Sequence, residues 1–291
     1  MRKSPSPFDL AEGTAYRHWR DAKRESRARR LEDLVVEIAT PSAPSVAELG
    51  QIKRLCSRTN MAVYSGLSLD REGVRRLGEA VGLRRLDSTM LADEDAISPL
   101  QVVASGPRSR YIPYTDRAIG WHTDGYYNPP EEPVQGLILH CVAPSREGGA
   151  NALADPDMAY IALREADPEL IRALMAPDVL TIPGNAEDGY APRPDRSGPV
   201  FSVAADGGLH MRYTDRARNI VWKDDPRVAA AVAVLRTFLQ SDADCVFRHR
   251  LEAGQGLVCN NVLHTRTAFR DEGDQKRLLL RARYLDRVAA E

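Results

Sequence analysis

Short runs of apolar residues recur along the whole chain and predict a protein built mainly of β-strands. Run 134–142 is too apolar for an edge strand, which indicates burial on both faces. The strand-like runs do not alternate regularly with helices, as a doubly wound parallel sheet would require. They cover residues 61–66, 99–104, 134–142, 179–182, 199–203, 209–213, 245–251, 256–259 and 277–285.

Helical patterns lie before these strands and between them. Ser45 and Asp70 stand where N-caps are expected, and a Pro/Ser linker separates the first two helices. The pattern as a whole predicts a mainly β fold with α decoration: a double-stranded β-helix (jelly-roll) core with N-terminal and inserted helices. The helices are predicted over residues 14–39, 45–58, 71–81, 156–166, 168–175 and 225–240.

Length and composition favour one catalytic domain spanning residues 1–291. Within it we expect a helical extension over 1–59, packed on a jelly-roll core over 60–285. The net charge of −1 gives no reason to expect binding to nucleic acid or to an anionic membrane. No apolar run approaches the length of a membrane span and the start is not a signal peptide, so the expected location is the cytoplasm.

The four cysteines are scattered without C-x-x-C spacing, so neither a zinc site nor a disulfide framework is indicated. A different metal site is suggested by His122 and Asp124, which are two residues apart and would share one side of a β-strand. His264, far along the chain, offers a third ligand from another strand. Two imidazoles and one carboxylate on one face of a metal form the facial triad of non-haem Fe(II) oxygenases, which leaves positions for a cosubstrate and O₂.

The last predicted strand carries arginines at alternate positions, so that Arg277, Arg281 and Arg283 share one face. Guanidinium groups that point into a barrel mouth are unfavourable unless anions meet them. A dicarboxylate cosubstrate satisfies this need, because the planar fork of arginine matches a carboxylate.

Together these motifs resemble the taurine dioxygenase / TfdA-like family of Fe(II)- and 2-oxoglutarate-dependent dioxygenases. The motifs are His-x-Asp, a Gly-Gly turn after the next strand, Asn-x-x-x-His-x-Arg and Arg-x-x-x-Arg, and the resemblance covers about residues 60–285. It implies that His122, Asp124 and His264 bind Fe(II), and that a small molecule is oxidised with release of succinate and CO₂. In related halogenases a small residue replaces the carboxylate ligand, so Asp124 favours hydroxylation over halogenation.

The resemblance also implies how 2-oxoglutarate is held. Arg277 would bind its distal carboxylate, while Arg281 would either support the cosubstrate or meet the substrate anion. Family members often carry a threonine just after the Gly-Gly turn, as a hydrogen-bond donor to the cosubstrate. Here Asn151 would have to donate instead, or serve only the turn.

Candidate substrate contacts follow the metal pair directly. Tyr126, Tyr127 and Asn128 are placed either to line the pocket or to pack as an aromatic rim. Arg212 begins a basic stretch that would recognise an anionic substrate or lie in a solvated loop. We therefore expect a small anionic or zwitterionic metabolite as substrate, and homo-oligomers are common among such chains.

Two other functions remain open from the sequence. A hydrolase would use the same two histidines and aspartate to hold Zn²⁺ and activate water. A non-catalytic binding protein would retain the fold alone. The arginine-bearing strand argues against the hydrolase, which has no need of a dicarboxylate anchor.

Overall fold

The computed structural model describes residues 6–88, 93–185, 193–241 and 244–289, which form a mainly β molecule with helices at its start and in its middle. The helices are α1 (Gly13–Ser26), α2 (Val46–Thr59), α3 (Arg71–Ala80), α4 (Pro156–Ala166), α5 (Pro168–Leu174) and α6 (Pro226–Gln240), with 3₁₀ turns at Leu31–Leu34, Pro107–Arg110 and Ile112–Tyr114. The strands are β1 (Val35–Glu37), β2 (Met61–Ser65), β3 (Ile97–Leu100), β4 (Ile119–His122), β5 (Gly136–Ala143), β6 (Glu147–Gly148), β7 (Asn151–Ala154), β8 (Leu180–Ile182), β9 (Arg196–Gly198), β10 (Phe201–Val203), β11 (Leu209–Met211), β12 (Val221–Trp222), β13 (Val246–His249), β14 (Gly256–Cys259), β15 (Leu263–Arg266), β16 (Phe269–Arg270) and β17 (Leu278–Tyr284).

Two sheets form the centre of the molecule. The larger has the strand order β1-β2-β14-β5-β17-β3, and the smaller has the order β13-β7-β15-β4. Neighbouring strands in both are antiparallel except β1 and β2, which pair in parallel. The remaining described strands form a three-stranded sheet, β12-β8-β9, and two antiparallel pairs, β10-β11 and β6-β16.

Apolar side chains from both central sheets meet in one core. Val63, Leu139 and Leu257 of the larger sheet belong to the same buried cluster as Leu153 and Phe247 of the smaller one. Strand β5 is buried along most of its length because helices cover the outer face of the larger sheet. The smaller sheet is covered on its other side by α4, α5 and α6.

A buried group of charges joins the N-terminal helix to the rest of the molecule. Lys23 on α1 lies 2.9 Å from Asp155 and 2.6 Å from Asp157, and the three side chains are 6–12% exposed. Asn60 donates to both carboxylates, and its own oxygen accepts from Asn260 at 3.1 Å. Because Asp155 also caps α4, this cluster ties α1 to the start of that helix.

Most predicted elements are present with small shifts at their ends. Helix α4 has the predicted bounds, while Ser45 and Asp70 cap α2 and α3 as expected. The helix predicted over 14–39 is wrong in its second half: α1 ends at Ser26, and residues 35–37 form β1. The two valines of that segment favour a strand, and β1 pairs in parallel with β2.

None of the helices in the described ranges is both long and apolar enough to cross a membrane.

Candidate metal centre and cosubstrate pocket

Strands β4 and β15 bring two histidines together. They pair antiparallel, and His264 is the direct register partner of His122. Directly opposed residues lie on the same face of a sheet, and here the two ring centroids are 4.2 Å apart. The main chain therefore sets the relative positions of both imidazoles.

Backbone carbonyls orient the two rings. Nδ1 of His122 lies 2.9 Å from the Gly120 carbonyl oxygen, and Nδ1 of His264 lies 2.9 Å from that of Val262. A carbonyl only accepts hydrogen bonds, so Nδ1 is the donor in each ring, and Nε2 is the ring nitrogen left to bind a metal. This arrangement, with the second ring nitrogen donating to a carbonyl, is typical of metal-binding histidines.

Asp124 completes the group from just beyond the end of β4. The expectation that a single strand carries both members of the pair is therefore only half right, since His122 ends the strand and Asp124 lies in the following turn. Asn261 fixes that turn by accepting from the Asp124 amide at 2.8 Å and donating to the Asp124 carbonyl at 2.9 Å. The Asn261 amide also donates to the Val134 carbonyl, at 2.6 Å.

The charges around the three residues favour metal binding. Burial would raise the pKa of Asp124, but the Arg281 guanidinium, 3.2 Å away, holds it below its usual range. Burial and the neighbouring His264 lower the pKa of His122 to about 3. One ligand atom from each of His122, Asp124 and His264 lies within 4.8 Å of the other two. Two imidazoles and an ionised carboxylate at this spacing fit Fe(II) as a facial triad.

An open cavity adjoins Arg277, with about 200 Å³ of space that includes the solvent at its mouth. Arg277 is 4% exposed, its guanidinium carbon lies 4.9 Å from the Phe269 ring centroid, and its Nη1 has no hydrogen-bond acceptor among the described residues. A buried guanidinium with an unused N–H suits the distal carboxylate of 2-oxoglutarate. The cavity is lined by Pro144, Ser145, Gly149, Asn151, Arg250, Leu251, Arg277 and Leu279.

The Gly148-Gly149 turn shapes one wall of this cavity. Both glycines have positive φ, 72° and 75°. A Cβ on Gly148 would lie 2.1 Å from the Ala268 carbonyl oxygen, and one on Gly149 would lie 2.8 Å from Ser145 Oγ and 3.4 Å from Arg277 Nε. The turn therefore needs glycine for its conformation and for the space beside Arg277.

Two of the predicted cosubstrate residues have other partners in the structure. Asn151 lines the cavity, but its amide donates to the Thr265 carbonyl at 2.7 Å. Arg281 pairs with Asp124, so its described contact is with a candidate metal ligand. Contact of either side chain with 2-oxoglutarate stays a prediction.

The segment after the metal pair lies beside the candidate site. Tyr126 meets the His122 ring edge to face, with centroids 6.5 Å apart. Tyr127 Oη accepts from Arg283 at 2.7 Å, and Asn128 donates to Asp87, which pairs with Arg283 at 2.9 Å. Tyr126 is thus next to the candidate metal ligands, while Tyr127 and Asn128 belong to a buried network.

Arg212 has a structural role in the fold. Its guanidinium donates to four backbone carbonyls: Tyr126, Leu180, Arg196 and Gly198, at 2.7–3.3 Å. These bonds hold the segment after the metal pair against β8 and β9. The substrate contact predicted for Arg212 stays untested.

Sequence reasoning missed two residues at this site. Asn261 acts through backbone contacts, and its positive φ of 48° is visible only in the structure. Arg250 lines the cavity beside Arg277, but it follows a short strand with no motif around it.

Comparison with known proteins places this geometry in a family. A sequence model described as "Taurine catabolism dioxygenase TauD, TfdA family" matches residues 23–283. A curated protein from Amycolatopsis sp, named uridine-5'-phosphate dioxygenase, is 31% identical over 203 residues, which cover 66% of this chain and 70% of that protein.

Solved structures agree at the level of fold. Asparagine oxygenase in complex with Fe(II), 2S,3S-3-hydroxyasparagine and succinate is similar with a TM-score of 0.57 at 16% identity, over 98% of this chain and 86% of that chain. AAD-2 in complex with Mn(II) and N-oxalylglycine is similar with a TM-score of 0.64 at 13% identity, over 90% and 99% of the two chains. The predicted fold class, a jelly roll decorated with helices, is confirmed, and within the described ranges the sheets do not close into a barrel.

Proposed function

The chain belongs to the taurine catabolism dioxygenase TauD, TfdA family, and from that premise we propose that it oxidises a nucleoside 5'-phosphate or a related small organic anion. It is a 2-oxoglutarate-dependent non-haem iron dioxygenase acting on a small molecule. Fe(II) with 2-oxoglutarate and O₂ supplies the oxidising power, and 2-oxoglutarate becomes succinate and CO₂. Membership of this dioxygenase family rules against the zinc hydrolase that the sequence alone left open.

The main support for the proposed iron site is the pairing of His122 with His264 across β4 and β15. We assign iron binding to these two Nε2 atoms and to the Asp124 carboxylate. Their orientation is supported by the carbonyls of Gly120 and Val262 and by Asn261. Arg277 would anchor the distal carboxylate of 2-oxoglutarate, which leaves the substrate to bind on the side of Tyr126.

Two observations support an anionic substrate. The relative from Amycolatopsis sp is named for a nucleoside phosphate. In this chain, Arg216 is exposed and donates to Tyr126 Oη at 3.0 Å, next to the His122 ring. A guanidinium beside an aromatic ring suits a molecule with a phosphate and a planar base. Hydroxylation is the outcome we propose, because Asp124 occupies the ligand position that halogenases leave open.

The test is succinate formation with Fe(II), 2-oxoglutarate and O₂, measured with uridine 5'-phosphate, uridine, taurine and asparagine in parallel. Uridine 5'-phosphate should raise succinate release above the substrate-free rate and be consumed in step with it. His264→Ala should abolish both. Equal rates with uridine would contradict recognition of the phosphate, and Zn²⁺-supported hydrolysis without 2-oxoglutarate would overturn the assigned reaction.

A further inference from the structure

Two arginines line the cavity assigned to the cosubstrate, although the family pattern accounts for only one. Arg277 approaches from the start of β17, and Arg250 follows the end of β13. Arg277 Nη1 and Arg250 Nε are both buried atoms without a hydrogen-bond acceptor among the described residues. Unused donors of two guanidinium groups at one cavity indicate a ligand with a strong acceptor.

The Arg250 side chain is held in place by one of its other nitrogens. Its Nη2 donates to the Ser145 carbonyl, and the nearest carboxylate, Glu252, lies 3.9 Å from Nε. That distance is too long for a hydrogen bond. Glu252 is 59% exposed, so it offsets the Arg250 charge only weakly.

The residue at the family's usual donor position offers no charged donor. Asn151 stands where a threonine hydroxyl is common, and its amide donates to the Thr265 carbonyl at 2.7 Å. Its side-chain oxygen is an acceptor, which cannot hydrogen-bond an ionised carboxylate. The amide has one further N–H, which carries no charge, so a second charged donor to the cosubstrate has to come from another lining residue.

We propose that Arg250 is that donor, a specificity-determining residue that binds the distal carboxylate of 2-oxoglutarate together with Arg277. The inference rests on the proposed function, since it takes this cavity as the cosubstrate pocket. Two guanidinium groups on one carboxylate give the pocket a strong preference for 2-oxo acids that carry a second carboxylate.

Calorimetric titration of the Mn(II)-loaded protein tests this directly, because it measures binding without turnover. The two ligands are 2-oxoglutarate and 2-oxovalerate, which has the same carbon chain without the distal carboxylate. Arg250→Ala should weaken 2-oxoglutarate binding by about tenfold to a hundredfold and change 2-oxovalerate binding by less than about twofold. Arg250→Gln should behave in the same way, because the amide has no charge.

Arg270→Ala is the matched control, since it removes an exposed guanidinium, paired with Glu147, beside the same turn. It should leave both affinities unchanged. Unchanged 2-oxoglutarate binding in Arg250→Ala would overturn the inference, and so would equal weakening or loss of both ligands. If the wild-type protein itself does not prefer 2-oxoglutarate to 2-oxovalerate, the assignment of the pocket is wrong, which is a distinct result.

Discussion

At the scale of single residues, the candidate metal site depends on backbone groups as much as on its ligands. The carbonyls of Gly120 and Val262 set the proton on Nδ1 of each histidine, and Asn261 holds the backbone of Asp124. Such contacts keep the ligands in position before a metal arrives, which reduces the reorganisation that binding requires.

Asn261→Gly should lower the free energy of unfolding by about 2–4 kcal/mol, because three hydrogen bonds of a buried amide are lost. It should also weaken Co(II) binding, since the turn that carries Asp124 loses its support. Urea unfolding and metal titration measure the two effects.

Asn261→Ala provides the comparison for backbone strain. Glycine tolerates the φ of 48°, whereas alanine should lose about a further 1 kcal/mol of stability. Metal binding as tight in Asn261→Gly as in the wild type would show that Asn261 does not position Asp124.

The candidate ligands were predictable because their chemical types and spacing carry the signal. His122, Asp124 and His264 are metal-competent wherever they occur, and the structure brings all three together. The supporting residues carry no such signal, because asparagine and arginine serve many purposes. Asn261 and Arg250 become recognisable only when the fold shows which atoms they face.

At the scale of elements, a helix was predicted correctly where the burial pattern and the capping residue indicated the same bounds. Prediction failed where pairing with a distant segment determined the secondary structure. Helix α4 begins after Asp155 and ends at Ala166 as its pattern predicts. Segment 35–37 was predicted as helix, but it pairs with β2 and becomes a strand. The short strand β7 was not predicted, because its four residues include no β-branched or aromatic residue.

Lys23→Met should destabilise the contact between α1 and α4 by about 3–5 kcal/mol, because it leaves Asp155 and Asp157 buried without their cation. Chemical unfolding measures the loss. Arg24→Met is the control on the same helix: its pair with Glu165 is 3.6 Å long and largely exposed, so the change should be below about 1 kcal/mol. Equal effects of the two substitutions would contradict a special role for the buried lysine.

The same cluster predicts a pH dependence of stability. Burial, reinforced by Asp157 and opposed by Lys23, raises the pKa of Asp155 from 3.8 to about 6. The folded protein then holds this proton more tightly than the unfolded chain does. The stabilising contribution of this proton to the unfolding free energy is therefore fully present below about pH 4 and is lost as the pH rises through about 6.

Asp155→Asn tests this dependence, because the amide does not titrate. Between pH 4 and pH 7, the unfolding free energy of the wild type should fall relative to that of Asp155→Asn. A difference that stays constant over this range, or that shifts in favour of the wild type, would contradict the raised pKa.

At the scale of the whole molecule, the N-terminal segment is integrated with the rest. Strand β1 is an edge of the larger sheet, and aromatic side chains near the start pack against Tyr160 of α4, with Phe8 at 5.5 Å and Trp19 at 5.9 Å between ring centroids. We propose that the segment before residue 60 and the jelly-roll core fold as one catalytic unit.

Deletion of residues 1–27 should lower the melting temperature by more than about 10 °C or prevent recovery of folded protein, because it uncovers the Tyr160 cluster and removes Lys23. Circular dichroism during heating measures this. A truncated chain with an unchanged melting temperature and unchanged succinate formation would show that the segment is an independent appendage.

The facing histidines of β4 and β15 have a consequence for how the chain folds. If the two strands paired one residue out of register, the imidazoles would point to opposite sides of the sheet. Such a misaligned chain could not bind the metal with both rings. Metal present during refolding would therefore stabilise only correctly aligned molecules, to a degree that rises with its concentration. Iron binding would then favour the native strand alignment, in addition to its part in the reaction.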